Sequence, residues 1–380
     1  MPDINKIIAS TFNQIANALE TGKLSSSNKI AVTGIGSELG EENVFRGAEI
    51  AAKQGISVVY IGSMQSKIME CKQATCEADV HTIMNELLKN KEVQGAVTMH
   101  YPFPIGVSTV GKLNAVGTGM PFYMATTTGT TATNRVEAMV KNTICGIVAA
   151  KASGLTNPTV GIMNIDGARA TEGILKKLNE NGYPITMATS MRADGGSVLR
   201  GNDILNGSAD IVVCDSLTGN LFMKTLSAYT TAGKYEVAGF GYGPGIGEGV
   251  TEPIMIVSRA SGSMVIAGAI SYANDLCNGN FAKVVAEEFA KAKKAGLNSL
   301  LDAIKEPAQQ APAVKAPPKE VCTEEVAGID VMALEDAVQA LWAEGIYAES
   351  GMGCTGPLIM MAEHNKEKAV AILTAKGYMQ

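Results

Sequence analysis

The sequence predicts an α/β protein: two α/β/α lobes around a cleft, followed by a small helical C-terminal module. Three observations carry this. Short β-branched runs alternate with helix-length segments through glycine-rich turns, the pattern of βαβ units. The 380 residues include 41 glycines and are 46% hydrophobic but only 18% charged, a composition suited to two or three domains with a substantial core. A Pro/Ala-rich stretch at 306–320, EPAQQAPAVKAPPKE, cannot form a regular helix and reads as a semi-rigid linker. The chain divides into an N-terminal helix (1–27), a first lobe (28–133 and 251–304), a second lobe (134–250), the linker (305–320) and a C-terminal module with a reactive cysteine (321–380).

In chain order, the opening residues read as an amphipathic helix with Asp3 as a possible cap, rather than as a signal peptide. A strand at 29–32 runs into the glycine turn TGIGS, a helix near 41–54 follows, and a second strand occupies 57–61. The glycines of GIGSELG do not fit the GxGxxG fingerprint of dinucleotide sites, and no cofactor is expected. A helix near 81–88 leads to strands at 95–99 and 121–124. Residues 125–134, ATTTGTTATN, read as a hydroxyl-rich loop. Such a loop holds an oxyanion or serves only as a surface turn and cap, with even weight on each.

The second lobe opens with a long helix at 135–152, then a strand at 159–164 and a helix at 171–181. The β-branched run Ile211, Val212 and Val213 is a buried strand ending at Asp215. Leu217, Thr218, Gly219 and Asn220 turn the chain into a helix beginning near Leu221, with Lys224 about one turn along. A carboxylate at a strand's carboxyl end followed by a helix N-terminus is where open α/β sheets bind ligands, and Lys224 adds a cation. A capped strand with a solvated lysine fits the spacing equally well. The glycine-dense 235–250 suits backbone passing close to a ligand or to another backbone. A strand at 254–257 then delivers Ser258 and Arg259 to a helix near 264–276. Hydroxyls, an arginine fork and a helix N-terminus together favour phosphate; the competing reading is an N-cap cluster beside a surface arginine.

In the C-terminal module, helices are expected at 331–344 and 367–376, with a helical run at 358–363. Cys354 sits in GMGCTGP, and Pro357 suits a first helical position. A helix N-terminus there would lower the thiol pKa, and the flanking glycines leave room for a substrate. His100 and His364 are candidate bases, each more often an ordinary surface or core histidine. The remaining cysteines look structural: Cys145 and Cys277 fall on helices and Cys214 ends a strand.

A formal charge of −6 without a basic stripe argues against nucleic acid. The most apolar region, 254–273, is broken by Arg259 and several serines and glycines, so no membrane span is expected. Seven scattered cysteines make neither a disulfide framework nor a zinc spacing, which implies reduced thiols, no metal and a cytoplasmic location.

The segments GIMNIDG (161–167), NDILNGSADIVVCDSLTGNLFMK (202–224), YGPGIGEGV (242–250) and SRASGS (258–263) resemble the phosphate acyltransferase superfamily. Most specific is the DxxTGNxxxK pattern of Asp215, Thr218, Gly219, Asn220 and Lys224. The resemblance implies an isocitrate dehydrogenase- and phosphotransacetylase-like fold. It makes Asp215 and Lys224 catalytic and gives phosphate to Thr218, Gly219, Asn220, Ser258 and Arg259, to which the hydroxyl-rich loop would add Thr127, Thr128, Gly129 and Thr130. Met264, Val265 and Ile266 stand where phosphotransacetylases carry an acidic residue after the Ser-Arg pair.

Over nearly its whole length, with ESGMGCTGP (349–357) as signature, the chain resembles the component C alpha subunits of glycine/sarcosine/betaine reductase. That resemblance implies an oligomeric complex of anaerobic amino-acid fermentation with a component C beta subunit and the selenoprotein component A. An acetyl thioester on Cys354 would be cleaved by inorganic phosphate to acetyl phosphate. Two other readings stand beside it: a non-catalytic scaffold for the beta subunit, and an acyl-carrier-protein:phosphate acyltransferase that needs no Cys354.

Overall fold

The computed structural model describes Phe12 and residues 28–192, 195–304, 314–329, 333–353 and 356–379. The helix expected over 1–27 and linker residues 305–313 fall outside this set. Residues 314–320 carry neither helix nor strand.

The chain first lays down β1 (Lys29–Thr33), α1 (Glu41–Lys53), β2 (Ser57–Gly62), β3 (Glu70–Gln73), α2 (Glu77–Lys89) and β4 (Gly95–Thr98). It continues through β5 (Phe103–Pro104), β6 (Val107–Asn114), β7 (Pro121–Thr130), α3 (Arg135–Ala152) and β8 (Thr159–Met163). Next come α4 (Ala168–Glu180), β9 (Thr186–Met187), β10 (Val198–Leu199), α5 (Gly201–Leu205), β11 (Ile211–Val213) and α6 (Ser216–Ala228). The core closes with β12 (Gly243–Gly247), β13 (Ile254–Ile256), α7 (Ser263–Asn278), α8 (Phe281–Lys294) and α9 (Leu297–Asp302).

Twelve strands form one sheet in the order β10-β8-β11-β7-β6-β12-β13-β4-β1-β2-β3, with β9 beside β8. Its two ends are all-parallel: β13, β4, β1, β2 and β3 on one side, β7, β11, β8, β9 and β10 on the other. Strands buried on both faces read as near-continuous apolar runs, as IAV in β1 and IVV in β11 do. The antiparallel strands β6 and β12 join the two ends. Helices on both faces complete two α/β/α lobes.

Backbone contact explains the glycine density of β12. A Cβ on Gly243 would lie 1.7 Å from the Val110 carbonyl oxygen, so here one backbone passes another. Helix α3 is apolar almost all round and buried along its length. Its start is fixed by Asn134, whose side chain accepts the N–H groups of Val136 and Glu137 at 3.0 and 3.1 Å.

Two elements differ from the sequence reading. The stretch expected as the loop 125–134 is strand β7 through Thr130, because β-branched threonines suit a strand and their hydroxyls can be satisfied inside the sheet. Thr126 donates to the Thr109 carbonyl and Thr127 to the Tyr242 carbonyl, each at 2.6 Å.

The second difference lies in the C-terminal module. It comprises β14 (Glu324–Ala327), α10 (Leu334–Ala343), β15 (Ala348–Gly353), β16 (Gly356–Met361) and α11 (Lys366–Ala375), and so is not purely helical. The expected helix at 358–363 is instead β16 followed by a short 3-10 turn, Glu363–Asn365. The run PLIMM is too short for periodicity to separate helix from strand. Long-range partners decide it: β16 pairs with both β14 and β15, satisfying its backbone on both edges. The module's own core gathers Val326, Leu334, Leu341, Ile359, Met361 and Leu373. Core strand β5 completes its sheet, Met352 pairing with Phe103 and Gly351 with Pro104.

Candidate active site

With β7, the first turn of α6 forms the floor of a cleft at the carboxyl ends of the parallel strands. Asp215 is the N-cap, and the helix starts at Ser216, five residues before the expected Leu221. One Asp215 oxygen accepts the Thr218 N–H at 2.8 Å and the other the Thr218 hydroxyl at 3.1 Å. The cap satisfies one of the orphan donors of the turn, while the N–H groups of Ser216 and Leu217 have no intrahelical acceptor.

Gly219 allows this turn to rest on β7. A Cβ there would lie 1.7 Å from the Thr126 carbonyl oxygen. Asn220 holds the next carbonyl of β7 with its side chain, donating Nδ2–H to Thr127 O at 3.1 Å. The TGN spacing thus seats a helix N-terminus directly against the threonine-rich strand.

The threonines divide. Thr127 is fully buried, and its hydroxyl is engaged with Tyr242 and, at 2.6 Å, with Thr109. The Thr130 hydroxyl donates to the Ala132 carbonyl at 2.6 Å. Thr128 sits partly open on the cleft, with its N–H and hydroxyl both within 3.0 Å of the Thr109 hydroxyl. Gly129 has a φ of 73°, which favours glycine.

Opposite, Ser258 and Arg259 follow β13. The Ser258 hydroxyl accepts the Ala260 N–H at 3.2 Å. Arg259 grips Glu77 with both nitrogens, at 2.8 and 3.0 Å, and donates to the Gly36 carbonyl at 2.9 Å. The guanidinium beside Glu77 holds that carboxyl below its ordinary range against the opposing effect of burial. Arg259 therefore braces the cleft wall while lending positive charge to it. Exposed Lys224 lies over the Tyr242 ring, 5.5 Å from its centroid.

Two adjoining cavities share this cleft. One, of about 460 Å³, is lined by His100, Thr128, Asn220, Lys224, Ser258 and Arg259, and also by Gly353 of β15 and Leu358 of β16. The other, of about 560 Å³, is lined by Thr126–Thr130, Asp215, Ser216, Leu217 and Asn220, together with Met352, Gly353 and Pro357. Cys354 lies outside the described residues. Its neighbours do not: Gly353 pairs with Gly356, and the strands on both sides of it face the cleft. Because Leu358 to Met361 are extended, a helix dipole starting at Pro357 is not available to activate this thiol.

The structure separates the cysteines and histidines further. Burial pushes the Cys145 and Cys277 thiols up to about 12 and raises that of Cys214. His364 stands largely in solvent, 3.6 Å from Glu320, whereas His100 is a cleft residue. Sequence reasoning missed Glu77, Tyr242, Thr109 and Glu325. Each meets its partner only through the fold, and no local spacing announces it.

Residues 28–360 match the model of the family described as fatty acid synthesis protein. The chain is 52% identical over 382 residues, 99% of each chain, to the glycine/sarcosine/betaine reductase complex component C subunit alpha of Peptoclostridium acidaminophilum. It is 26% identical over 235 residues to the phosphate acyltransferase of Thermus thermophilus, covering 52% of this chain and 70% of that one. A solved phosphotransacetylase from Staphylococcus aureus overlays 68% of this chain and 97% of its own, at 13% identity and a TM-score of 0.46.

Proposed function

The chain belongs to the fatty acid synthesis protein family and to that of the component C alpha subunits, and we propose that it holds an acetyl thioester on Cys354 and releases it to inorganic phosphate as acetyl phosphate. One observation carries the reading: the residues flanking Cys354 line the cleft that also holds Thr128, Asn220, Lys224 and Ser258. Phosphorolysis of a thioester needs an anion site, donors for the tetrahedral oxyanion and a thiolate that leaves. Lys224, Thr128 and Ser258 serve the phosphate, with Arg259 contributing charge from its brace against Glu77. Asn220 and the opening turn of α6, capped by Asp215 and packed through Gly219, serve the oxyanion.

Its partners are a component C beta subunit and the selenoprotein component A, in a cytoplasmic complex. The hairpin built of β15 and β16 is the part that presents the thiol, and β5 fixes it to the core. The engagement of Arg259 by Glu77 favours a second reading, a subunit that only scaffolds its partner; saturable phosphate binding to the chain, once measured, would overturn that reading.

The test is peptide mapping by mass spectrometry after the full chain is supplied with acetyl phosphate, which runs the reaction backwards. An acetyl group on Cys354, removed by added phosphate and absent from Cys354→Ala, supports the role. Acetylation of no cysteine in the chain overturns it.

A further inference from the structure

His100 follows β4, whose end lines the cleft together with that of β13 and Ser258. Its Nε2 lies 3.9 Å from a carboxylate oxygen of Glu325, which belongs to β14 of the C-terminal module. The imidazole and this acidic residue of the module therefore line the same cleft as Lys224 and Arg259. Glu325 is held in place by backbone pairing of β14 with β16, Glu325 opposite Met360, one strand away from the hairpin end at Gly353. Both His100 and Glu325 line the cavity that contains Lys224, Ser258, Arg259 and Gly353. Other ionisable groups around His100 are Glu77 and His81 on α2, Arg259 after β13, Lys224 on α6 and Glu38 after β1, and, in a second cavity that His100 and Glu325 also line, Tyr101, Cys322 and Glu324. Burial, reinforced by the neighbouring His100, holds His81 below its ordinary range and so makes it a poor competitor for a proton.

The geometry points to His100 as the proton carrier of the cleft, with Glu325 as the positioning residue that the C-terminal module supplies to it. This inference rests on the phosphorolysis reading above. An oxygen of hydrogen phosphate bonds to the carbonyl carbon, and the C–S bond breaks with its electron pair on sulfur. The proton given up by the phosphate passes to the imidazole of His100 and from there to the sulfur. Thiol and acetyl phosphate result, with no further reactant. A base with a carboxylate 3.9 Å from its ring nitrogen has the partner such a shuttle uses, a negative charge close to the proton it carries. A module that carries both the hairpin end and Glu325 also makes the shuttle complete only when the module is docked.

The experiment loads the full chain with acetyl from acetyl phosphate and follows single-turnover release by inorganic phosphate, in wild type, His100→Ala, Glu325→Gln and Glu325→Asp. His100→Ala is expected to slow release by about 10²-fold or more and to slow loading in the same proportion, so that it is acetylated only on longer incubation, with added imidazole restoring part of both rates. Glu325→Gln is expected to slow release by about tenfold at an unchanged KM for phosphate, with Glu325→Asp restoring part of the rate, a pattern that a purely structural role would not produce. Wild-type rates in His100→Ala overturn the assignment of His100 and leave the phosphorolysis reading standing. A wild-type chain that accepts no acetyl group removes both. A slowed His100→Ala that imidazole cannot rescue, with Glu325→Asp no faster than Glu325→Gln, assigns the pair a structural role and also overturns the proposal.

Discussion

The two sides of the cleft are built differently. The floor, β7 and the first turn of α6, is closely packed: Gly219 has no room for a methyl group, Thr127 is buried, and Asn220 and Asp215 are tied to backbone atoms. The opposing side is the C-terminal module, with a core of its own and a docking strand of only two residues, Phe103–Pro104, taken from the first body of the chain. A floor fixed by many short bonds suits a site that holds an anion in one geometry. A module that shares one short strand with the core suits a carrier that must also meet partner subunits. On the proposed reading the floor binds phosphate and the module delivers the thiol, and substitutions on the two sides should fail in different ways.

The largest expected effect is on the module side. Cys354→Ser should reduce acetyl phosphate formation by on the order of 10³-fold or more, while circular dichroism and thermal unfolding stay as in wild type. Retained turnover would return the chemistry to the floor alone. The largest effect on the floor should be structural. Gly219→Ala places a methyl group against the Thr126 carbonyl, and overpacking of this kind lowers stability by about 3 kcal/mol, read as a lower urea midpoint. Lys224→Ala should do the reverse, leaving the midpoint alone and raising the KM for phosphate about tenfold, which is about 1.4 kcal/mol of binding. An unchanged KM would move the anion site away from α6.

The smallest effect concerns the brace between Arg259 and Glu77. The Glu77 carboxyl is held below its ordinary range, so the pair stabilises the protein above the pKa of a free glutamate. That stability is lost as the pH falls through the lower, folded-state value. Both partners are more than a third exposed, which limits the contribution to less than about 1 kcal/mol. Urea midpoints of wild type and Glu77→Gln should therefore differ slightly at pH 7 and converge on acidification. A gap that widens in acid would contradict the assigned direction.

Much of the floor was legible in the chain itself. The β-branched runs at Ile30, Val58 and Ile211 form strands because their environment is apolar on both faces, and helix α3 matches its expected bounds. The spacing of Asp215, Thr218, Gly219 and Asn220 marks a helix start because cap, close-packed glycine and amide must follow one another within a single turn. The hydroxyl-rich 125–134 misled because threonines serve a strand as readily as a loop, and only the partner strand β6 decides between them. In the module, Leu358 to Met361 carry no periodicity of their own; pairing with Glu324 to Ala327 and with β15 makes them extended. The meeting of His100 with Glu325, or of Arg259 with Glu77, is set by topology across more than a hundred residues of chain and leaves no local trace.

The most direct test of a shared cleft is the alkylation rate of Cys354 by iodoacetamide, followed by peptide mapping with and without saturating inorganic phosphate. A thiol carried into the phosphate-binding cleft should be protected by phosphate, and the protection should disappear in Lys224→Ala. Alkylation of Cys354 at the same rate with and without phosphate would contradict the account, because thiol and anion would then occupy separate sites.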